Sequence, residues 1–125
     1  MESSKKVLVI DDDAHIRRVI EMKLKKRGYQ VTMAKNGQEG LDIVLAQQPD
    51  VVISDINMPV MDGRAFCEKT NELKKKRPFL TIMVTARILP EDRDWIDHMQ
   101  ETLFFEKPFS PAEIMEHIER YTGVQ

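Results

Sequence analysis

The sequence predicts a doubly wound α/β fold, in which a parallel β-sheet carries helices on both faces. Five short apolar runs alternate with five stretches of helical hydrophobic spacing, and the connections between them are short. The runs at residues 7–10 and 51–53 contain no polar residue, as expected of strands that are covered on both faces. A length of 125 residues suits one domain, so we expect a single domain over residues 1–125.

Each predicted element has local signals that set its position. The five strands are predicted at residues 7–10, 29–34, 51–53, 79–84 and 103–105. A capping box formed by Asn36 and Glu39 starts the second helix. The last helix begins with Ser110 as N-cap, Pro111 at the first helical position and Glu113 two residues later. Pro90 is predicted to open a short fourth helix.

The spacing of apolar residues also predicts which face of each helix is buried. The predicted buried faces are Ile16, Val19, Ile20 and Leu24; Leu41, Val44 and Leu45; Phe66, Cys67, Thr70 and Leu73; Ile96 and Met99; and Ile114, Met115, Ile118 and Tyr121. Trp95 lies beside the fourth set, so we expect it on the flank of its helix and partly exposed. The basic run at residues 74–77 falls at a helix C-terminus, where cations favour the helix dipole, and is predicted to be solvated.

Composition excludes several classes of protein. The single cysteine, Cys67, rules out an intramolecular disulfide and a multi-cysteine metal site, and we interpret it as a small core residue. With 19 basic and 21 acidic residues, the chain gives no case for nucleic-acid binding. No apolar run approaches the ~20 residues of a membrane span, and the N-terminus is no signal peptide. We therefore expect a cytoplasmic protein without membrane contact.

Polar side chains follow four of the predicted strands. Asp11 and Asp12 come directly after the first strand, Asp55 after the third, Thr85 after the fourth and Lys107 after the fifth. The carboxyl ends of parallel strands lie at one edge of the sheet, which is where doubly wound proteins place their sites. The sequence therefore predicts carboxylates, one hydroxyl and one ammonium around a common point, while Asp13 is predicted to cap the first helix.

Charge repulsion limits what such a cluster can do. Two carboxylates 4 Å apart repel by about 4 kcal/mol at an effective dielectric constant near 20, so the cluster needs a proton, Lys107 or a bound cation. A site with few oxygen ligands suits Mg²⁺, which also favours phosphate. One carboxylate is then free to act as a nucleophile towards phosphorus, while Lys107 and the Thr85 hydroxyl hold the transferred oxygens.

Four motifs give the chain a specific resemblance over residues 5–121. They are VLVIDD at 7–12, SDINMPVMDG at 54–63, VTA at 84–86 and KPF at 107–109. In this order and spacing they resemble the CheY-like receiver domain of bacterial two-component response regulators. The resemblance implies a flavodoxin-like (βα)5 fold, with a five-stranded parallel sheet in the order 2-1-3-4-5.

The resemblance also implies a role for each site residue. Asp55 matches the phosphoacceptor, Asp12 the direct Mg²⁺ ligand, Asp11 a ligand acting through water, and Asn57 the position whose backbone carbonyl binds the metal. Thr85 and Lys107 match the groups that bind the phosphoryl oxygens. Thr85 and Phe104 match the switch pair, with Ala86 as the small neighbouring residue and Pro108 as the cis-proline.

Two positions depart from the family pattern or vary within it. The family usually carries a Gly-Ala pair before the fifth strand, whereas residues 99–102 here are Met-Gln-Glu-Thr, without a glycine. Arg87 occupies a variable position that influences the lifetime of the phosphate in the family.

Three functional hypotheses follow. In the first, a sensor histidine kinase or phosphotransfer protein donates a phosphoryl group to Asp55, and the modified domain changes the face it offers to an output partner. The domain then catalyses only its own phosphorylation and dephosphorylation. The second is a haloacid-dehalogenase-type phosphohydrolase with Asp11 and Asp13 as its first motif, although no Gly-Thr follows Asp13. The third is a flavodoxin-like binder of a flavin phosphate, which the three adjacent carboxylates would repel.

Overall fold

A computed structural model describes residues 5–57, 60–86 and 88–123. The strands are β1 (Lys6–Ile10), β2 (Gln30–Ala34), β3 (Val51–Asp55), β4 (Leu80–Thr85) and β5 (Thr102–Glu106). The helices are α1 (Ala14–Lys26), α2 (Gly37–Gln47), α3 (Gly63–Lys76), α4 (Asp92–Ile96) and α5 (Pro111–Thr122). Within these described ranges, no helix has the length and apolarity required to cross a membrane.

The five strands form one parallel sheet in the order β2-β1-β3-β4-β5, which confirms the predicted fold class and strand order. Alternate residues of each strand face opposite helical layers. On one face, residues such as Val9 and Ile53 pack with Leu24 of α1 and Ile118 of α5. On the other face, a second core joins strand residues such as Leu8 to Val44 of α2 and Phe66 of α3. This two-sided burial explains why residues 7–10 of β1 and residues 51–53 of β3 are uniformly apolar.

The third and fourth strands end later than predicted, and this affects the site. β3 ends at Asp55 and β4 at Thr85, so each functional side chain is the last residue of its strand. Both residues are buried, because their strands lie in the interior of the sheet. The fourth helix begins at Asp92, two residues after the predicted start at Pro90.

The predicted buried faces were wrong at three positions. Leu45 is 58% exposed, while the buried residues of α2 are Gly37, Gly40 and Val44. A Cβ on Gly40 would lie 2.3 Å from Ile10 Cδ1, so this side of α2 approaches the sheet too closely for a larger residue. A hydrophobicity pattern overlooks such glycines, and Leu45 lies about 100° round the helix from Val44. Val19 and Tyr121 are also exposed, at the margins of the inward faces of α1 and α5.

Trp95 is buried rather than partly exposed, so its predicted position was wrong. α4 has five residues, too few for Ile96 and Met99 to define its inward side. The indole Nε1 donates to Asp92 Oδ1 at 3.0 Å, which satisfies its polar group inside the protein. The ring packs in a third core with Ile56, Cys67 and Met83, where Cys67 has the predicted role of a core residue.

The predicted solvation of residues 74–77 was wrong for Lys74. Its side chain is 4% exposed, whereas Lys75, Lys76 and Arg77 are exposed as expected. The Lys74 ammonium contacts backbone carbonyls at residues 100 and 101, next to the start of β5. Helical spacing within α3 could not reveal this, because the partners lie 26 and 27 residues further along the chain.

Candidate functional site

Three carboxylates meet at the carboxyl edge of the sheet. Asp11, Asp12 and Asp55 each offer an oxygen atom, and these atoms all lie within 4.8 Å of one another. Asp11 is 3% and Asp55 9% exposed, while Asp12 is exposed. The neighbouring carboxyl ends of β1 and β3 thus bring together the acidic residues that the sequence predicted there.

Hydrogen bonds hold the segment after β1 in place. The Asp11 amide donates to the Ala34 carbonyl at 3.1 Å, and the Asp13 amide donates to Asp11 Oδ1 at 2.8 Å. Asp13 accepts from the amides of His15 and Ile16, which confirms it as the N-cap of α1. These contacts fix the backbone of residues 11–13 and the side chain of Asp11 at the edge of the sheet.

Arg17 is a contributor that the sequence reasoning missed. Its guanidinium, on the first turns of α1, donates to the backbone carbonyl of Asp11. Side chains in a helix point back towards its N-terminus, so an arginine four residues after the N-cap Asp13 can reach that carbonyl. The position of Arg17 in the first turns of the predicted helix could therefore have indicated this contact from the sequence.

Electrostatics make the cluster unfavourable as three free anions. Burial raises the pKa of Asp11, and the negative charges of Asp55 and Asp12 raise it further. The Asp13 amide and the Lys107 ammonium oppose that rise. A cation placed among the three oxygens would relieve both the repulsion and the cost of burying charge.

Lys107 provides positive charge at this edge. Its Nζ donates to Asp55 Oδ2 at 3.1 Å, and the Asn57 amide donates to Asp55 Oδ1 at 3.0 Å. The Lys107 amide donates to the Thr85 carbonyl at 2.6 Å, which fixes the lysine relative to the end of β4. The Lys107–Pro108 peptide bond is cis, as the resemblance implied.

Thr85 lies beside this group at the tip of β4. Asp55 pairs with Val84 across the β3–β4 ladder, so Thr85 is one residue further towards the edge. Thr85 is 1% exposed and pairs with Glu106, the residue before Lys107. Thr85 thus adjoins both Asp55 and Lys107 on the sheet, as the sequence predicted.

Phe104 of β5 pairs with Met83 of β4, two residues before Thr85, and is half-buried. Its ring contacts Trp95 edge-on, with centroids 5.5 Å apart and planes at 75°. The segment between β4 and α4 is tied to β5 where the Ile88 amide donates to Glu106 Oε1 at 3.1 Å. Phe104 thus contacts α4 directly, and Glu106 contacts the segment that precedes α4.

Ile56, which follows Asp55, and Gly63, the first residue of α3, lie close together. The Gly63 amide donates to the Ile56 carbonyl at 2.7 Å, and a Cβ on Gly63 would lie 2.7 Å from Ile56 Cα. Only glycine fits this approach. Met58 and Pro59 of the loop between β3 and α3, and Arg87 after Thr85, lie outside the described residues.

Comparison with known proteins assigns the family. The response regulator receiver domain family matches residues 7–119, so the chain belongs to that family. A probable transcriptional regulator, ycf27 of Guillardia theta, is 39% identical over 114 residues, covering 91% of this chain and 44% of that protein. The chain therefore spans less than half the length of this curated relative.

Solved structures agree with the assignment. The chemotaxis protein CheY4 of Vibrio cholerae is 31% identical with a TM-score of 0.83, covering 95% of this chain and 99% of that one. The receiver domain of the sensor histidine kinase PA1611 from Pseudomonas aeruginosa PAO1 is 26% identical with a TM-score of 0.82, covering 97% and 99%. That structure has a magnesium ion coordinated in its active-site cleft.

The family assignment decides between the three functional hypotheses in favour of the receiver domain. The chain is a signalling domain of the two-component type, a class that works with histidine kinases and output partners. Its acidic cluster has the composition of a divalent metal site.

Proposed function

We propose that this domain accepts a phosphoryl group on Asp55 and thereby switches a partner-binding face. The observation that carries the proposal is the contact of Lys107 Nζ with Asp55 Oδ2 at 3.1 Å, beside two further carboxylates. Lys107 places an ammonium at one oxygen of the proposed acceptor, and Asp11 and Asp12 place two further carboxylates near it, as a Mg²⁺-dependent phosphoryl transfer to Asp55 would require. The proposed donor is the phosphohistidine of a sensor histidine kinase or phosphotransfer protein, in the cytoplasm.

Mg²⁺ is the proposed cofactor. Asp11, Asp12 and Asp55 would hold it, together with the backbone carbonyl of Asn57. The three carboxylate oxygens within 4.8 Å of one another fit a hard cation that prefers oxygen ligands. The ion in the cleft of the PA1611 receiver domain supports the choice of metal. When bound, Mg²⁺ supplies positive charge that offsets the negative charge of the acids and of the incoming phosphate.

The proposed reaction is a single phosphoryl transfer. A carboxylate oxygen of Asp55 forms the new bond to phosphorus, and the bond from phosphorus to the donor nitrogen breaks, leaving the electron pair on the donor imidazole. Lys107 and the Thr85 hydroxyl bind oxygens of the transferred group, where charge is concentrated in the transition state. Hydrolysis of the acyl phosphate by water restores Asp55, so the domain modifies only itself.

The proposed switch runs from Thr85 to Phe104. A hydroxyl drawn towards the phosphoryl group leaves space that the half-buried Phe104 ring can enter. Because Phe104 contacts Trp95, this movement would reach α4 and change the surface of α4, β5 and α5. That surface is the proposed site of the output partner.

Intact-mass measurement after incubation with acetyl phosphate and Mg²⁺ tests the proposal. The wild-type chain should gain the mass of one phosphoryl group, and Asp55→Asn should gain none, because the amide keeps the shape but is no nucleophile. The exposed Asp97→Asn is the matched control and should behave as wild type. Full modification of Asp55→Asn at the wild-type rate would refute the proposal.

A further inference from the structure

Lys74 is a buried ammonium group outside the acidic cluster. Its side chain, in the last turn of α3, is 4% exposed. The Nζ donates to the Gln100 carbonyl at 2.7 Å, the Glu101 carbonyl at 3.1 Å and Thr102 Oγ1 at 3.2 Å. An ammonium has three N–H donors, so each of them has an acceptor.

The positive charge of Lys74 is only weakly compensated by the groups around it. In the described part of the chain, no carboxylate oxygen lies within 4.0 Å of its Nζ. The Phe79 ring lies with its centroid 4.8 Å from the Nζ, a cation–π contact. Burying a cation that has only dipolar partners costs desolvation free energy, which burying a neutral amine does not.

Two titratable groups act on the charge of Lys74: Cys67 of α3 and Glu101 of the turn before β5. The charge of Glu101 also acts on Tyr121 of α5. Burial raises the pKa of Cys67 to about 12 and raises that of Tyr121 above its ordinary value. Neither group therefore changes charge in the range where a weakly basic lysine would.

Lys74 contacts residues 100–102, in the turn before β5. The family usually carries a Gly-Ala pair there, whereas this chain has no glycine. Glu101 has a φ of 48°, in the left-handed region that disfavours a residue with a Cβ. The acceptors of Lys74 are at residues 100, 101 and 102, so they surround the strained position. Thr81 and Asn71 add further hydrogen bonds to the same turn. β5, which carries Phe104, starts at Thr102.

We propose that Lys74 is a proton-dependent positioning residue: its ammonium form holds residues 100–102 against α3, and loss of a proton releases one of the three hydrogen bonds and shifts the start of β5. Burial supports this, because it lowers the pKa of Lys74 to about 8. The neutral amine has two donors and must give up one acceptor. The proposal concerns the unmodified protein and does not depend on which group Asp55 accepts.

An NMR titration of the full chain from pH 6.5 to 9.5 tests the proposal. The Lys74 ¹³Cε shift should follow a midpoint near pH 8, about two units below that of an ordinary lysine. The backbone amides of Gln100, Glu101 and Thr102 should move with the same midpoint. In Lys74→Met these amide transitions should vanish, whereas Lys75→Met, which removes an exposed neighbour, should retain them.

Two further variants remain informative even if Lys74→Met does not fold. Glu101→Gln removes a charge that favours the ammonium, and Thr102→Val removes one of its acceptors, so each should lower the Lys74 midpoint further. Glu72→Gln, at an exposed residue of α3, should leave the midpoint unchanged. A Lys74 midpoint near pH 10, or turn amides that do not follow Lys74, would overturn the proposal.

Discussion

Lys107 Nζ lies 3.1 Å from Asp55 Oδ2 and links the tips of β5 and β3, which do not pair with each other. The contact bridges β4, whose own tip residue is Thr85. One ion pair thus connects the acidic cluster to the strand that carries Phe104. Removing either partner should affect both the reaction and the switch.

Lys107→Met should slow phosphorylation by acetyl phosphate by about 100-fold or more, the usual effect of losing one donor to developing charge. Methionine keeps most of the apolar stem of the lysine and carries no charge, so the fold should be retained. Rates of mass increase at saturating Mg²⁺ check this, with Lys75→Met as an exposed-lysine control. Equal rates in Lys107→Met and wild type would remove Lys107 from the reaction.

Mg²⁺ should stabilise the wild-type domain, because we expect it to bind the folded carboxylate cluster and not the unfolded chain. At a hundred times its Kd the gain is about 2.7 kcal/mol, which corresponds to a rise of about 10 °C in Tm for a domain of this size. Asp12→Ala should lose most of this rise and melt higher than wild type without metal, since repulsion is relieved. Thermal melts with and without Mg²⁺ measure both effects.

The control for the metal prediction is Asp97→Ala, an exposed aspartate outside the cluster. It should keep the full response to Mg²⁺. A response in Asp12→Ala as large as in the wild type would show that the ion binds elsewhere.

Trp95 emission should report the switch. Beryllofluoride with Mg²⁺, in place of the phosphoryl group, should change the emission, because the Trp95 ring contacts Phe104 with centroids 5.5 Å apart. Phe104→Ala should reduce this change while leaving phosphorylation intact. Emission is measured with beryllofluoride and again after acetyl phosphate and Mg²⁺, and intact mass is measured on the samples treated with acetyl phosphate. Constant emission in a fully modified wild type, or an equal change in Phe104→Ala, would contradict the proposed route.

Because the pKa of Lys74 is lowered in the folded state, the free energy of unfolding should increase with pH. This folded-state pKa is about 8, so between pH 8 and 10.5 the unfolded chain binds more protons and the free energy of unfolding rises. Between pH 7 and 9.5 the gain should be about 2 kcal/mol. Lys74→Met should lack it, and urea unfolding at several pH values measures the difference. A pH dependence shared equally by both proteins would assign the effect to other groups.

The fold and the site core were predictable because their signals are local. Unbroken apolar runs gave the interior strands, and carboxylates directly after them had to meet at one edge of a parallel sheet. The positions of Asp11, Asp55, Thr85 and Lys107 needed no knowledge of packing. The structure brings all of them to the same edge.

The errors came from contacts between segments distant in sequence. Lys74 is buried by carbonyls 26 and 27 residues away, and Leu45 is exposed because Gly37 and Gly40, together with Val44, form the buried side of α2. Trp95 lies in a five-residue helix and contacts Phe104 of β5. Helical spacing could predict neither the inward side of so short a helix nor this contact with a strand. Hydrophobic periodicity predicts a face only where a helix is long and its inward residues are large.

The most direct test of the central proposal is to locate the acyl phosphate chemically. Borohydride reduces an aspartyl phosphate to homoserine, which marks the modified residue for tandem mass spectrometry. After treatment with acetyl phosphate and Mg²⁺, homoserine is expected at residue 55 and at no other aspartate. Homoserine at residue 11 or 12, or a phosphoryl mass increase without homoserine, would contradict the assignment of Asp55 as the acceptor.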